Sequence, residues 1–292
     1  MWLTFDSILW ILTVAVLVPI VVFTGECLLA ILPGRRRMVE NGKRPRATIL
    51  IPAHDEEHGI AETLQALLPT LHVSDRVLVV ADNCSDGTAR VARAYGAQVI
   101  ERHCDKRRGK GFALQYGIRA LADSSDVPEV VVFLDADCRV APQTVDQLAR
   151  AVARTGRPVQ GLNLSEAESR GVQAISSLGF HFKNLVRPAG LARVGMPCHL
   201  MGTGMALPWD LASKAVFAGA NLVEDMQLGV DLAISGTPPL FCQSALVTSR
   251  LPAGRQAFFS QRTRWAHGNL RTSLTQVPRL LGGFFRTAAF RP

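Results

Sequence analysis

The chain has 292 residues, a formal net charge of +8 and a hydrophobic composition of 48%, which suits one large domain or two small ones with a sizeable core. No interleaved aromatic-basic motif or recognition helix accompanies the positive charge, so it points to a membrane surface or an anionic ligand rather than to nucleic acid. The six cysteines (27, 84, 104, 138, 198 and 242) form no Cys-x-x-Cys pair and are expected as reduced, structural thiols.

Trp2 to Leu32 is almost unbroken apolar sequence, with Glu26 the one charge after Asp6. Crossing a bilayer takes about 20 apolar residues, so this segment is long enough. A signal peptide is the competing reading, but it needs a basic N-region and a shorter apolar run. Here no Lys or Arg comes first, whereas Arg35, Arg36, Arg37, Lys43, Arg44 and Arg46 follow. The positive-inside rule then makes residues 1–34 a transmembrane anchor and the rest cytoplasmic. Pro19 and Glu26 are expected to face protein or the interface, because a lipid-facing carboxylate is costly.

Residues 47–52 read as a buried strand stopped by Pro52. Ile60, Leu64, Leu67, Leu68 and Leu71 then recur at helical spacing. A strand over 76–81 ends in the turn Asp82-Asn83-Cys84-Ser85-Asp86-Gly87, and a helix over 88–95 leads to a short strand over 98–101. Gly109-Lys110-Gly111 opens a helix reaching residue 122. Val130 to Leu134 is the most hydrophobic strand, and Pro142 starts a helix at a position proline tolerates. Alternating strands and helices predict a parallel α/β sheet with helices on both faces, becoming mixed after residue 157. Beyond that point the pattern predicts a strand over 158–163, a helix over 172–186, a loop at Gly202-Thr203-Gly204 and a helix over 224–234. Two short strands over 238–242 and 245–248 and a helix from about 255 follow. The tail over 273–292 mixes Leu280, Leu281, Phe284, Phe285 and Phe290 with Arg279, Arg286 and Arg291. That suits an interfacial helix on the membrane or a helix packed on the domain.

In open α/β sheets ligands bind outside the carboxyl ends of the strands, and Asp55, Asp82 and Asp135 all fall at such ends. Asp135-Ala136-Asp137 offers two carboxylates that can share one Mg²⁺ or Mn²⁺, ions completed by substrate phosphates; many such pairs are merely solvated loops. Asp82 can accept hydrogen bonds from a base N–H or a ribose hydroxyl, or can simply form a turn. Lys110, at a helix start, can meet a phosphate, though the long Walker spacing is absent. Glu224 and Asp225 open a helix, where acids often only complement the dipole. We nominate Asp225 as the base that deprotonates an attacking hydroxyl. Gln261, Arg262, Arg264 and Trp265 share about one helical turn, with Arg suited to a diphosphate and Trp to a sugar ring.

These pieces in this order resemble glycosyltransferase family 2, and within it the membrane-bound inverting branch that includes cellulose, chitin and hyaluronan synthases. The matching motifs are Ile51-Pro52-Ala53-His54-Asp55-Glu56-Glu57, Ala81-Asp82-Asn83-Cys84-Ser85-Asp86, Arg108-Gly109-Lys110-Gly111, Asp135-Ala136-Asp137, Glu224-Asp225 and Gln261-Arg262-Thr263-Arg264-Trp265. They cover residues 47–266.

The resemblance implies a GT-A fold, a Rossmann-like mixed sheet with helices on both faces, over residues 35–272. It implies a uridine-type nucleotide-sugar donor held by Pro52, Ala53, Asp55, Glu57, Asp82, Lys110, Asp135, Ala136, Asp137, Gln261, Arg264 and Trp265. It also implies Mg²⁺ or Mn²⁺ on Asp137 and Asp135, and Asp225, the base, with Glu224 as the catalytic carboxylates. Gly202, Thr203, Gly204 and Trp265 would line the site of a polysaccharide or lipid-linked acceptor. Processive relatives carry further membrane helices after the Trp motif. The expectation is therefore a chain truncated before such helices or split from a channel-forming or homo-oligomeric partner, or one that makes single sugar transfers. A sugar-nucleotide-forming nucleotidyltransferase and a non-catalytic synthase subunit are the alternatives.

Overall fold

The computed structural model describes residues 2–33, 44–166, 172–217, 224–250, 256, 263, 266–268, 270–280 and 282. Helix α1 (Trp2–Ile31) is 30 residues long, about 45 Å at 1.5 Å per residue. From Phe5 to Phe23 its side chains are exposed, and among the described residues it is the C-terminal end that packs on the rest of the chain.

The globular part runs β1 (Ala47–Ala53), α2 (Glu57–Leu67), β2 (Arg76–Asp82), α3 (Thr88–Ala94), β3 (Gln98–Arg102), α4 (Lys110–Ala122), β4 (Val130–Phe133), β5 (Cys138–Val140), α5 (Thr144–Thr155) and β6 (Val159–Glu166). It continues with α6 (Val172–His181), a π-turn (Phe182–Val186), α7 (Arg187–Arg193), β7 (Met205–Pro208), α8 (Trp209–Ala212), α9 (Glu224–Ile234) and β8 (Leu240–Arg250). The eight strands form one sheet in the order β3-β2-β1-β4-β7-β6-β8-β5.

Period-two alternation in the apolar strands builds a core on each face. Ile49, Ile51, Val77, Val79, Val130 and Val132 meet Ile60 and Leu64 of α2 and Val145, Leu148 and Val152 of α5. The alternate residues Leu50, Leu78, Val80, Val131 and Phe133 meet Leu114 and Ile118 of α4 and Leu228 and Leu232 of α9. Each fully buried branched side chain contributes roughly 1.5–3 kcal/mol, so register is fixed on both faces at once.

The sheet is mixed, as expected: the first four strands are parallel, β7 runs antiparallel to β4 and β6, and β5 antiparallel to β8. Several finer expectations are corrected. Neither β5 nor β7 was legible, being three and four residues long. Pro52 does not stop β1, which runs to Ala53. Pro142 does not start α5; the helix begins at Thr144 after Gln143, whose φ is +68°. The two expected C-terminal strands are one strand, β8, with a register shift opposite Gly161/Leu162. The helical stretch over 172–186 ends in a π-helical turn and continues as α7 to Arg193. The six cysteines are free thiols, as expected.

Candidate functional site

Parallel pairing places the carboxyl ends of β1, β2 and β4 on one edge of the sheet. Because β7 is antiparallel to β4, it starts where β4 ends, with Met205 opposite Phe133. That reversal delivers the Gly202-Thr203-Gly204 loop to the same edge. The loop is fixed from below: Gly204 N donates to Phe133 O at 2.9 Å, and Gln160 Nε2 donates to Thr203 O at 2.9 Å.

On the donor side, two predicted residues lace the loops to each other. The Asp55 carboxylate, on a residue with φ +52°, accepts from Ser85 N at 2.6 Å and from the Ser85 hydroxyl. The Ser85 amide holds its carboxyl below the usual range. The Glu57 carboxylate accepts from Gly87 N at 3.0 Å. Asp82 is buried, and its Oδ1 accepts from Arg102 Nη1 at 2.5 Å and from Asn83 Nδ2 at 2.9 Å. Pro52 is half-buried, and Ala53 and Ala136 are buried, so these three offer backbone and wall rather than side-chain chemistry.

Asp135 and Asp137 follow β4, with Asp135 half-buried and Asp137 exposed at the cleft. A Cβ at Gly59 would lie 3.5 Å from Asp137 Cα and 2.8 Å from Glu56 Oε2, which places the Glu56 carboxylate beside this pair. Desolvation and the Asp135 charge push the Asp137 carboxyl up; burial, Asp137, Asp86 and Asp135 do the same to Glu56. Ligand atoms of Asp135, Asp137 and Cys138 lie within 4.8 Å of one another. Burial pushes the Cys138 thiol up to about 12, and it bonds to the Thr203 and Ser249 hydroxyls. Two crowded hard oxygens beside an inert thiol fit a hard divalent cation, not a thiolate-bound one.

Lys110 joins the two halves of the site. Its ammonium pairs with Asp135 and donates to Gly202 O at 2.9 Å. Burial opposes its charge, yet Asp135, Glu224 and Asp225 together hold it above its ordinary value. A Cβ on Gly202 would lie 3.1 Å from Asp225 Oδ2 and 3.2 Å from Lys110 Nζ, so carboxylate and ammonium meet at that glycine. Desolvation raises the carboxyls of Asp225 and Glu224, with Lys110 the chief opposing charge in both. Thr203 is buried, and its hydroxyl accepts from Asp135 N at 3.0 Å. Of the three predicted acceptor residues in this loop, Gly202 is the one that touches the cleft charges.

The structure adds residues that motif reading missed. Glu56 sits in the Asp55-Glu56-Glu57 run, where spacing cannot rank three acids. Lys183, on the π-turn, lies within electrostatic reach of Asp225, and burial lowers its ammonium. His199 is pushed down to about 3, by burial first and then by Lys183 and Arg187. Gln261, Arg262, Arg264 and Trp265 lie outside the described residues, as do most of the helix expected from about 255 and the tail beyond 282.

Residues 45–268 match the family described as Glycosyltransferase like family 2. A probable glycosyltransferase of Bacillus subtilis, YdaM, is 26% identical over 247 residues, 79% of this chain and 57% of that protein. The chain therefore spans just over half the length of that relative. Among solved structures, the mannosyltransferase PcManGT of Pyrobaculum calidifontis, in complex with GDP-Man and Mn²⁺, superposes with a TM-score of 0.68 at 18% identity, over 98% of this chain and 76% of that one. S. aureus TarS, in complex with UDP-GlcNAc, gives 0.53 at 14% identity, over 73% and 60%. These likenesses establish a GT-A fold for the chain.

Proposed function

Because the chain belongs to glycosyltransferase family 2 and is a glycosyltransferase, we propose that it moves a sugar, with inversion, from a UDP-type donor to a membrane-borne acceptor. The observation that carries this reading is the meeting of Asp225 and Lys110 at Gly202, with Lys110 also paired to Asp135.

The roles follow from the geometry. Asp82 receives the donor's uracil or ribose, its Oδ1 already steadied by Arg102 and Asn83. Asp55 and Glu57 act through the 85–87 turn that they pin. Asp135 and Asp137 hold Mg²⁺ or Mn²⁺, which when bound neutralises charge on the departing diphosphate. PcManGT in complex with GDP-Man and Mn²⁺ supports that assignment by fold likeness. Lys110 holds Asp135 and faces the same charge. Asp225 removes the proton from the acceptor hydroxyl on the side opposite the leaving group, and Glu224 adds negative potential beside it. Trp265, Gln261 and Arg264 are proposed at the acceptor and diphosphate on the sequence motif alone.

We assign residues 1–34 as the anchor, 35–272 as the cytoplasmic catalytic domain and 273–292 as an interfacial tail. Helix α1 is long and apolar enough to cross a membrane. Helical residues 270–280 support the tail assignment. Gln276 meets Gln227, and Arg279 pairs with Asp231 at 3.0 Å, so polar groups face α9. Leu270, Leu274 and Val277 point outward instead, the orientation of a helix resting on lipid. The acceptor is therefore proposed as a lipid-linked or growing polysaccharide at the inner membrane, with a channel-forming or homo-oligomeric partner completing a processive system.

The test is nucleoside diphosphate release by the membrane-embedded chain across a panel of sugar nucleotides with Mn²⁺ or Mg²⁺. Release from one donor that disappears in Asp225→Asn, with UDP affinity kept, is expected. Release unaffected by Asp225→Asn removes that residue as base. Silence with every donor returns the chain to the binding-subunit reading.

A further inference from the structure

Helix α1 meets the globular part at one level. Its residues from Phe5 to Thr24 are exposed without interruption, about 30 Å of helix at 1.5 Å per residue, which is the thickness of a bilayer's hydrocarbon core. Close packing begins within the next turn. Glu26 is buried, and Arg187 Nε and Nη2 donate to its carboxylate at 2.6 and 3.2 Å, which answers the expectation that this acid avoids lipid. At Gly190 a Cβ would stand 2.1 Å from the Glu26 carbonyl oxygen, so the backbones of α1 and α7 touch where only glycine fits. The Phe182 ring centroid lies 5.7 Å from that of Phe23. Helix α7 and the π-turn therefore stand at the membrane boundary that α1 defines.

Helix α6 ends at the same point. Ile175, Leu178 and Phe182 follow the i, i+3, i+7 spacing of one helix face. Phe182 of that face meets Phe23, while Ile175 and Leu178 are 73% and 58% exposed. Polar groups turn the other way: Ser177 and Asn184 are buried, and Asn184 Nδ2 donates to Asn163 O of β6 at 3.1 Å. A helix facing water buries its apolar stripe and shows its polar face. The reverse holds here, and it suits an apolar solvent. We propose that the Ile175–Leu178 face of α6 lies against the bilayer beside α1, with lipid as its occupant. The continuity of this face with α1, through Phe182 and Phe23, carries the assignment, which rests on α1 crossing the membrane. The domain is then held to the membrane along a second line. That line reaches the site through β6, which takes Asn184 at Asn163 and, at Gln160, holds the Gly202-Thr203-Gly204 loop. Seating α6 on lipid thus ties the acceptor loop to the bilayer surface.

The experiment uses the full chain in vesicles of phosphatidylcholine and phosphatidylglycerol, doped with a lipid whose acyl chain carries a photoactivatable diazirine just below the headgroup. After irradiation, lipid adducts are mapped on tryptic peptides by mass spectrometry. Adducts are expected on α1 and on the peptide 171–183, which carries Ile175 and Leu178. Ile175→Glu combined with Leu178→Glu should lose the adducts on that peptide and keep those on α1. Both side chains are exposed, so the melting temperature should stay at the wild-type value, which separates loss of lipid contact from loss of fold. In the wild type, a labelled α1 with a bare 171–183 overturns the proposal; that is the result if a second copy or water covers this face. Adducts on 171–183 that survive the glutamate pair overturn it as well, because the contact would not run through this stripe. A bare α1 sinks the anchor reading itself, a result distinct from the other two.

Discussion

Gly202→Ala separates backbone strain from damage to the site. Gly202 has φ +80°, where an L-residue costs about 1–2 kcal/mol. Its new methyl would also lie 3.1 Å from Asp225 Oδ2 and 3.2 Å from Lys110 Nζ, inside the ~3.5–4.0 Å of an ordinary heavy-atom contact. One charged group must give way by a few tenths of an ångström, and misplacement of a reacting group by about 1 Å can cost roughly 10²-fold in rate. We expect kcat to fall by about tenfold to hundredfold. The melting temperature should drop by about 2–4 °C per kcal/mol lost. Gly156→Ala is the matched control: φ is +61° at the end of α5, and its added Cβ meets nothing within 4 Å. It should lose comparable stability and keep its rate. Scanning fluorimetry and nucleoside diphosphate release measure both quantities. A Gly202→Ala enzyme with the kcat of Gly156→Ala would refute the reasoning, because the collision with Asp225 and Lys110 would then be harmless.

Asp137→Ala should abolish Mn²⁺-stimulated turnover and weaken Mn²⁺ binding seen by electron paramagnetic resonance; a stimulated variant rejects the ligand assignment. The base must be deprotonated to act, and desolvation raises the carboxyls of Asp225 and Glu224. Activity should therefore be present above that raised value and be lost as pH falls through it, with an acid limb above the ordinary aspartate value of about 3.9. A limb at that ordinary value contradicts the environment described for Asp225. Arg102→Met leaves the buried Asp82 carboxylate without its cation, and breaking a buried pair from one side costs about 3 kcal/mol. An unchanged denaturation midpoint would show that this pair adds nothing to stability.

Much of this fold was written locally. The alternation in Ile49-Leu50-Ile51 and Val130-Val131-Val132-Phe133 states which residue faces which layer, and such runs were legible as strands. The α9 helix was expected over 224–234 and occupies those residues, because apolar spacing and acids in a first turn are short-range signals. Asp135 at the end of β4 was legible for the same reason. The long apolar run of α1 needed no partner to be read as a helix.

Other features depend on where distant segments meet. Lys110 reaches Gly202, 92 positions away, because α4 packs against β1 and β2 while β7 runs antiparallel and starts beside the end of β4. No spacing in the sequence encodes that reversal, and β7 is too short to announce itself. Glu56 was indistinguishable from its acidic neighbours until packing set it beside Asp137. Glu26 was a lone acid in an apolar run until α7 supplied Arg187 from 161 positions away. The sequence alone determined the elements, the faces they bury and the chemical types at strand ends, since periodicity and propensity act over a few residues. Only tertiary structure decided which charges share the cleft, because that follows from sheet order and helix packing, to which the whole chain contributes.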